Sequence, residues 1–133
     1  MSQSLIEWSE QYFKHRDIIE QKLKNIKKEN NSLILEYHDD KKIALIKPVL
    51  DKELFANLKE LKDYAKKYVI TSLSLTNIDF LIANWKLFLI KDLILIFADI
   101  KSNNKVLLNP YVHNMISDPD NIDKAVRTLF EQK

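Results

Sequence analysis

A strand-length apolar run, LILIFADI, occupies residues 93–100. Its apolar residues do not alternate with polar ones, as they would in a strand with one face in water. A continuous run of this kind is typical of an interior strand that is covered on both faces. We therefore predict a strand here, at the centre of a sheet, and assign the other segments relative to it.

The segments after this run predict a turn, a strand and a final helix. Residues 102–104 read Ser-Asn-Asn, and asparagine can adopt the left-handed backbone conformation that glycine usually provides. A short strand follows at residues 105–108. Asp118 and Pro119 then suit the cap and the first position of a helix. The apolar face of this helix is formed by Ile122, Ala125, Val126, Leu129 and Phe130.

The segments before the run predict a strand followed by a helix. Thr76 and Asp79 have the spacing of a helix N-terminal cap. We predict that the helix continues to about Phe88. Residues 68–75 alternate partly between apolar and polar side chains, which predicts a strand.

The N-terminus predicts a long helix. Ser4 and Glu7 form a capping box, and apolar residues then recur at spacings of three, four and seven as far as Ile26. Asn30 and Asn31 can supply the left-handed stop. The helix would span about 25 residues, or about 37 Å.

A hairpin and a second helix follow this predicted helix. Residues 32–38 and 41–46 are short β-branched and aliphatic runs, joined by two aspartates that tolerate turn conformations. Asp51 is suited to cap the helix that comes next.

These elements predict a single α+β domain over residues 1–133. We expect a mixed or antiparallel sheet of about five strands, with the long N-terminal helix and the C-terminal helix packed on it. The alternative is a profilin-like or roadblock-like sandwich. In that arrangement residues 85–90 would be a strand and not the end of a helix.

The composition excludes several kinds of functional site. The 133 residues include no glycine and no cysteine. Without glycine, the chain lacks the phosphate-binding loops and the nucleophile elbow of common enzymes. Without cysteine, it lacks disulfides, thiol nucleophiles and thiolate metal sites. We assign no catalytic residue, no metal ligand and no cofactor.

The distribution of charge predicts a cytoplasmic protein. The 21 basic and 19 acidic residues give a formal net charge of +2, which is small for a protein that coats nucleic acid. Glu7 and Glu10 lie where a secretory signal would have basic and apolar residues. Charged residues also interrupt the apolar stretch at residues 78–98, so we expect no membrane span and no membrane partner.

A lysine-rich segment is the candidate for nucleic-acid binding. Residues 14–28 carry six positive charges and two negative ones. The hairpin adds two lysines, so five side chains could gather at one end of the predicted helix and contact phosphates. These residues are Lys24, Lys27, Lys28, Lys41 and Lys42. We expect such binding to be weak, sensitive to salt and indifferent to base sequence.

A metal-dependent nuclease is the sharpest enzymatic hypothesis. Asp99 and Lys101 lie two residues apart at a predicted strand end, where a carboxylate could hold Mg²⁺ and an ammonium could stabilise phosphate charge. Asp92 and His113 are the candidates for further groups in such a site. The same acid-x-Lys spacing occurs six times in the chain, so this match has little specificity.

Protein–protein interaction is our leading functional hypothesis. Ile6 and Phe13 lie beside the main apolar stripe of the predicted long helix and widen it. A helix with a wide apolar face can pack on its own sheet and on a second subunit at once. We therefore expect a non-catalytic interaction module that binds a protein partner or forms a homodimer.

Overall fold

Within residues 4–61, 63–116 and 122–131, which the computed structural model describes, six strands form one mixed sheet. In chain order, which is also their order in the sheet, they are β1 (Leu23–Glu29), β2 (Ser32–Tyr37), β3 (Lys41–Ile46), β4 (Lys66–Ser72), β5 (Leu93–Asp99) and β6 (Asn104–Leu108). The β3–β4 and β4–β5 pairs are parallel, and the other three pairs are antiparallel. The predicted α+β fold is confirmed, with one strand more than expected.

Helices cover both faces of the sheet. The described residues contain α1 (Leu5–Arg16), α2 (Glu53–Lys59), α3 (Leu75–Ala83), a 3-10 helix (Trp85–Phe88), α4 (Pro110–Ile116) and α5 (Ile122–Glu131). α1 packs on one face and buries the α1-side core, which includes Leu35, Ala44 and Ile70. α2, α3, the 3-10 helix and α5 bury the α3-side core on the opposite face. The sheet is therefore the middle layer of three.

The apolar run at residues 93–100 contains an interior strand, as predicted, but this strand lies next to the edge strand β6 and not at the centre of the sheet. β5 pairs with β4 on one side and with β6 on the other. Leu93, Leu95 and Phe97 lie in the α3-side core, and Ile96 and Ala98 lie in the α1-side core. Because both faces are covered, the strand has no position that requires a polar side chain. Asn103 in the following turn has φ 63°, so asparagine takes the left-handed conformation predicted for it.

The helix N-termini follow the predictions in part. Ser4 Oγ accepts a hydrogen bond from Glu7 N at 3.2 Å, so the predicted serine cap is confirmed, and it donates one to the Glu7 carboxylate at 2.9 Å, so the glutamate reaches back to the hydroxyl group. The cap of α3 is Ser74 and not Thr76. Asp51 does not cap α2, because its carboxylate is paired with the lysine four residues before it.

The predicted continuation of the N-terminal helix to residue 30 is wrong. α1 ends at Arg16, and residues 23–29 form β1, which pairs with β2. The Asp17 carboxylate accepts hydrogen bonds from Lys22 N and Leu23 N, each at 2.9 Å. These bonds satisfy the backbone of the turn that leads out of the helix and into the strand.

A β-bulge explains why β1 resembles a helix in the sequence. The ladder shifts directly after Leu23, which pairs with Tyr37, whereas Ile26 pairs with Leu35. Leu23 and Ile26 therefore both pack against the α1-side core, although residues three apart in a regular strand point to opposite faces. Ile19, which precedes them in the predicted stripe, is 92% exposed. The helix-like spacing of these apolar residues therefore comes from the β-bulge after Leu23 and from Ile19, which lies in a loop.

The C-terminal half contains one helix, α4, that was not predicted. The 3-10 helix at Trp85–Phe88 excludes the alternative sandwich, which requires a strand there. Pro110 begins α4, a position where proline is favoured because its missing N–H would be unpaired in any case. α5 is confirmed, and Val126 is buried in the α3-side core. The predicted cap of this helix, Asp118-Pro119, lies outside the described residues.

Candidate functional site

The five lysines predicted to bind nucleic acid lie on strands and point to both faces of the sheet. Lys28 faces the α1 side, where its Nζ is 2.9 Å from Glu10 Oε1. Lys42 faces the same side, because it lies two residues before a member of the α1-side core. Lys27 and Lys41 pair with β2 residues whose side chains are on the face of the sheet opposite α1. These two lysines therefore also face away from α1. The structure therefore does not place the five side chains on one surface.

The other three lysines, Lys24, Lys27 and Lys41, lie around the carboxylate of Glu36. Glu36 accepts a hydrogen bond from Asn25 Nδ2 at 3.0 Å. This bond and the charges of Lys41, Lys27 and Lys24 hold the pKa of Glu36 below its ordinary value, against an opposing effect of desolvation. An anion among three cations reduces their attraction for phosphate. Nucleic-acid binding through this surface stays a prediction.

The candidate nuclease residues are spread along the sheet. Asp99 accepts hydrogen bonds from Lys101 N at 3.1 Å and from Ser102 Oγ at 3.0 Å, so its carboxylate stabilises the β5–β6 turn. Asp92 lies at the other end of β5, about 23 Å away at 3.3 Å per residue. His113 lies on α4. This helix follows the end of β6 that is nearer to Asp92 than to Asp99. Among the described residues, no three His, Asp or Glu side chains are placed to hold a metal ion.

The wide apolar face of α1 packs against the protein's own sheet. Phe13 is 1% exposed and contacts the Tyr68 ring edge-on, with 4.9 Å between ring centroids. Ile6 is half-buried against the α1-side core. Trp8 is buried, and its Nε1 donates a hydrogen bond to Asn103 Oδ1 at 2.8 Å. The two residues that widen the stripe therefore pack on the protein's own sheet, which removes the reason for expecting a partner on α1.

An exposed apolar surface lies instead on the opposite face of the sheet. On α4, Tyr111, Val112 and Met115 are exposed, and Met115 is 71% accessible. Leu87 of the 3-10 helix, which contacts α4, is 52% exposed. We call these four residues the α4 surface. It was missed because α4 itself was not predicted, although apolar residues at positions 111, 112 and 115 have the spacing of one helix face.

A cavity of about 750 Å³ opens beside the α4 surface. Trp85 lines it, and Trp85 Nε1 donates a hydrogen bond to Asn114 Oδ1 at 3.0 Å, which joins the 3-10 helix to α4. Leu87 belongs both to this lining and to the α4 surface. The other lining residues are Ile82, Ala83, Asn84, Lys86, Leu89, Asn114 and Asp123. A concave, largely apolar site of this volume can accept side chains of a partner.

The cavity carries charges of both signs. Lys86 contributes an ammonium group, and Asp123 contributes a carboxylate that is 2.7 Å from Arg127 Nε. Arg127 Nη2 is also 2.9 Å from Asp79 Oδ1, so these pairs connect α5 to α3. The hydrogen bonds to Asp79 and Asp123 raise the pKa of Arg127 above its ordinary value. A surface with both signs of charge can meet a copy of itself without net repulsion.

The chain matches no protein-family model, and no curated protein and no solved structure shows significant similarity to it. None of the helices in the described part of the chain has both the length and the apolar character needed to cross a bilayer.

Proposed function

We propose that this protein is a non-catalytic interaction module that forms a homodimer through the α4 surface. The observation that carries the proposal is the combination of protruding apolar residues and an apolar cavity on the same face. Met115 and Leu87 protrude from this face, and the cavity beside them is lined by Trp85 and Leu89.

A two-fold interface requires one patch to be complementary to itself. In the proposed dimer, apolar side chains of one protomer enter the cavity of the other, and the reverse contact forms by symmetry. Lys86 and Asp123 can then face the oppositely charged residue of the partner. Burial of the exposed apolar side chains provides the free energy of association.

The test is the mass in solution, measured by analytical ultracentrifugation from about 10 to 500 µM, a range that covers weak dimers. We expect a species of twice the 15.8 kDa chain mass. Met115→Glu should weaken dimerisation at least about tenfold, because two unpaired carboxylates would enter an apolar interface. Met115 is exposed in the protomer, so the substitution should leave the fold intact.

Ile19→Glu is the matched control. It also replaces an exposed apolar residue with glutamate, but it lies in the connection between α1 and β1. The control should dimerise like the unmodified protein. A monomer throughout the concentration range contradicts the proposal, as does a dimer that both Met115→Glu and Leu87→Glu leave unchanged.

A further inference from the structure

Two lysines lie side by side beneath the C-terminal end of α1. Lys42 on β3 and Lys66 on β4 are register partners in a parallel pair. Both face the α1 side, because Ala44 and Tyr68, two residues further along the same strands, belong to the α1-side core. Adjacent strands are about 4.8 Å apart, so the two side chains start close together and their like charges repel.

A third cation and two aromatic rings complete this group. Arg16, the last residue of α1, has its guanidinium carbon 5.9 Å from the Tyr12 ring centroid, and its Nη1 donates a hydrogen bond to Tyr12 Oη at 3.4 Å. Lys42 Nζ lies 4.4 Å from the Tyr37 ring centroid. We call Arg16, Lys42 and Lys66 the cation cluster.

Tyr37 and Tyr68, which lie beside the cation cluster, stay neutral at physiological pH. Burial raises the pKa of Tyr37 to about 12 and also raises the pKa of Tyr68. The positive charge of Arg16 opposes the rise of both pKa values. A neutral phenol is a hydrogen-bond donor, and such a donor beside cations suits the binding of an anion.

The cation cluster lacks counter-charges within contact distance. Among the described residues, no carboxylate oxygen lies within 4.0 Å of a nitrogen of the three cationic groups. The Asp17 carboxylate is already engaged by two backbone N–H groups. Asp40, in the β2–β3 turn, is the remaining carboxylate whose charge affects both Tyr37 and Tyr68.

We propose that the cation cluster binds the phosphate group of a small phosphomonoester. A phosphate dianion would relieve the repulsion between Lys42 and Lys66 and would accept hydrogen bonds from Arg16. Lys27 and Lys41 lie on the other face of the sheet, and Lys14 and Lys28 are paired with Glu10, so these four lysines do not extend the cation cluster. A nucleic-acid strand would need a longer track of cations, so we assign the site to a small molecule.

Thermal unfolding in phosphate and in chloride of equal ionic strength tests this proposal. With inorganic phosphate at about 20 mM, the Tm of the unmodified protein should rise by about 3–6 °C, as expected for a ligand with a millimolar Kd. Lys66→Gln should abolish this rise. The same variant should have a higher Tm than the unmodified protein in chloride, because one of two repelling charges is gone. A merely structural lysine would not combine these two effects.

Lys101→Gln is the matched control, since it removes an exposed lysine at the opposite end of the sheet. It should keep the phosphate-dependent rise. A nucleoside monophosphate is the second probe, and affinity above that of inorganic phosphate would mean that the tyrosines contact the rest of the ligand. The proposal is overturned if Lys66→Gln keeps the rise, if phosphate and chloride are equivalent, or if only an oligonucleotide binds.

Discussion

Asn77→Asp should be among the most destabilising single-atom changes in this protein. Asn77 is 1% exposed and connects the β3–α2 loop to the end of β4. Its Oδ1 accepts a hydrogen bond from Leu50 N at 2.9 Å. Its Nδ2 lies 2.9 Å from Pro48 O, 2.9 Å from Thr71 Oγ1 and 2.8 Å from Ser72 O. The substitution preserves the shape of the side chain but replaces this donor with an oxygen.

The expected cost follows from the acceptors that lose their donor. The carbonyl oxygens of Pro48 and Ser72 would face a carboxylate oxygen, and each buried polar group left unpaired costs about 1–3 kcal/mol. Thr71 Oγ1 also donates to Pro48 O at 3.2 Å, which compensates part of the loss. We expect the free energy of unfolding to fall by about 3–5 kcal/mol at neutral pH.

Protonation should reverse part of this loss. The surrounding oxygens would raise the pKa of the new carboxyl group in the folded state above its unfolded value, because they disfavour the charged form. Stability from the protonated form is therefore present below the unfolded pKa and is lost as the pH rises through the folded pKa. The variant should be closer in stability to the unmodified protein at acidic pH than at neutral pH.

Urea unfolding followed by tryptophan fluorescence at acidic and neutral pH measures both effects. Asn84→Asp is the matched control, because Asn84 is half-buried and its Nδ2 donates a single hydrogen bond, to Phe80 O. It should lose no more than about 1 kcal/mol. A loss below about 1 kcal/mol for Asn77→Asp at neutral pH, or a loss that does not depend on pH, would contradict the role assigned to the Asn77 hydrogen bonds.

Three further predictions concern α1 and the tyrosines beneath it. Phe13→Ala should lower the free energy of unfolding by about 3–5 kcal/mol in urea titrations, and a smaller effect than an exposed Ile19→Ala control would contradict the packing described for α1. Asp17→Ala should cost about 1–2 kcal/mol in the same assay, because two backbone N–H groups lose their acceptor; Asp17→Asn should recover part of this stability. The folded-state pKa of Tyr37, about 12, exceeds its unfolded value of 10.0, so its stabilising contribution is present below about pH 10 and is lost as the pH rises through 12. Tyr37→Phe should therefore reduce the alkaline loss of stability, and equal pH profiles would contradict this assignment.

Several elements were predictable because their signals are carried by neighbouring residues. The run at 93–100 is apolar at nearly every position, which requires cover on both faces wherever the strand is placed. The β2–β3 hairpin and the Ser4 cap depend on contacts within a few residues. The amphipathic spacing of α5 likewise fixes which face of the helix is buried. None of these features needs a distant part of the chain to be recognised.

The functional surfaces depend instead on contacts between distant parts of the chain. Residues 23–29 have helix-like spacing, but pairing with β2 and the bulge after Leu23 make them a strand, and strand alternation then divides the predicted lysine cluster between two faces. Lys42 and Lys66 become neighbours only through the parallel pairing of β3 with β4. The α4 surface and its cavity arise where the 3-10 helix meets α4. Local patterns determine which residues are buried, whereas the long-range strand pairing and helix packing determine which side chains share a surface.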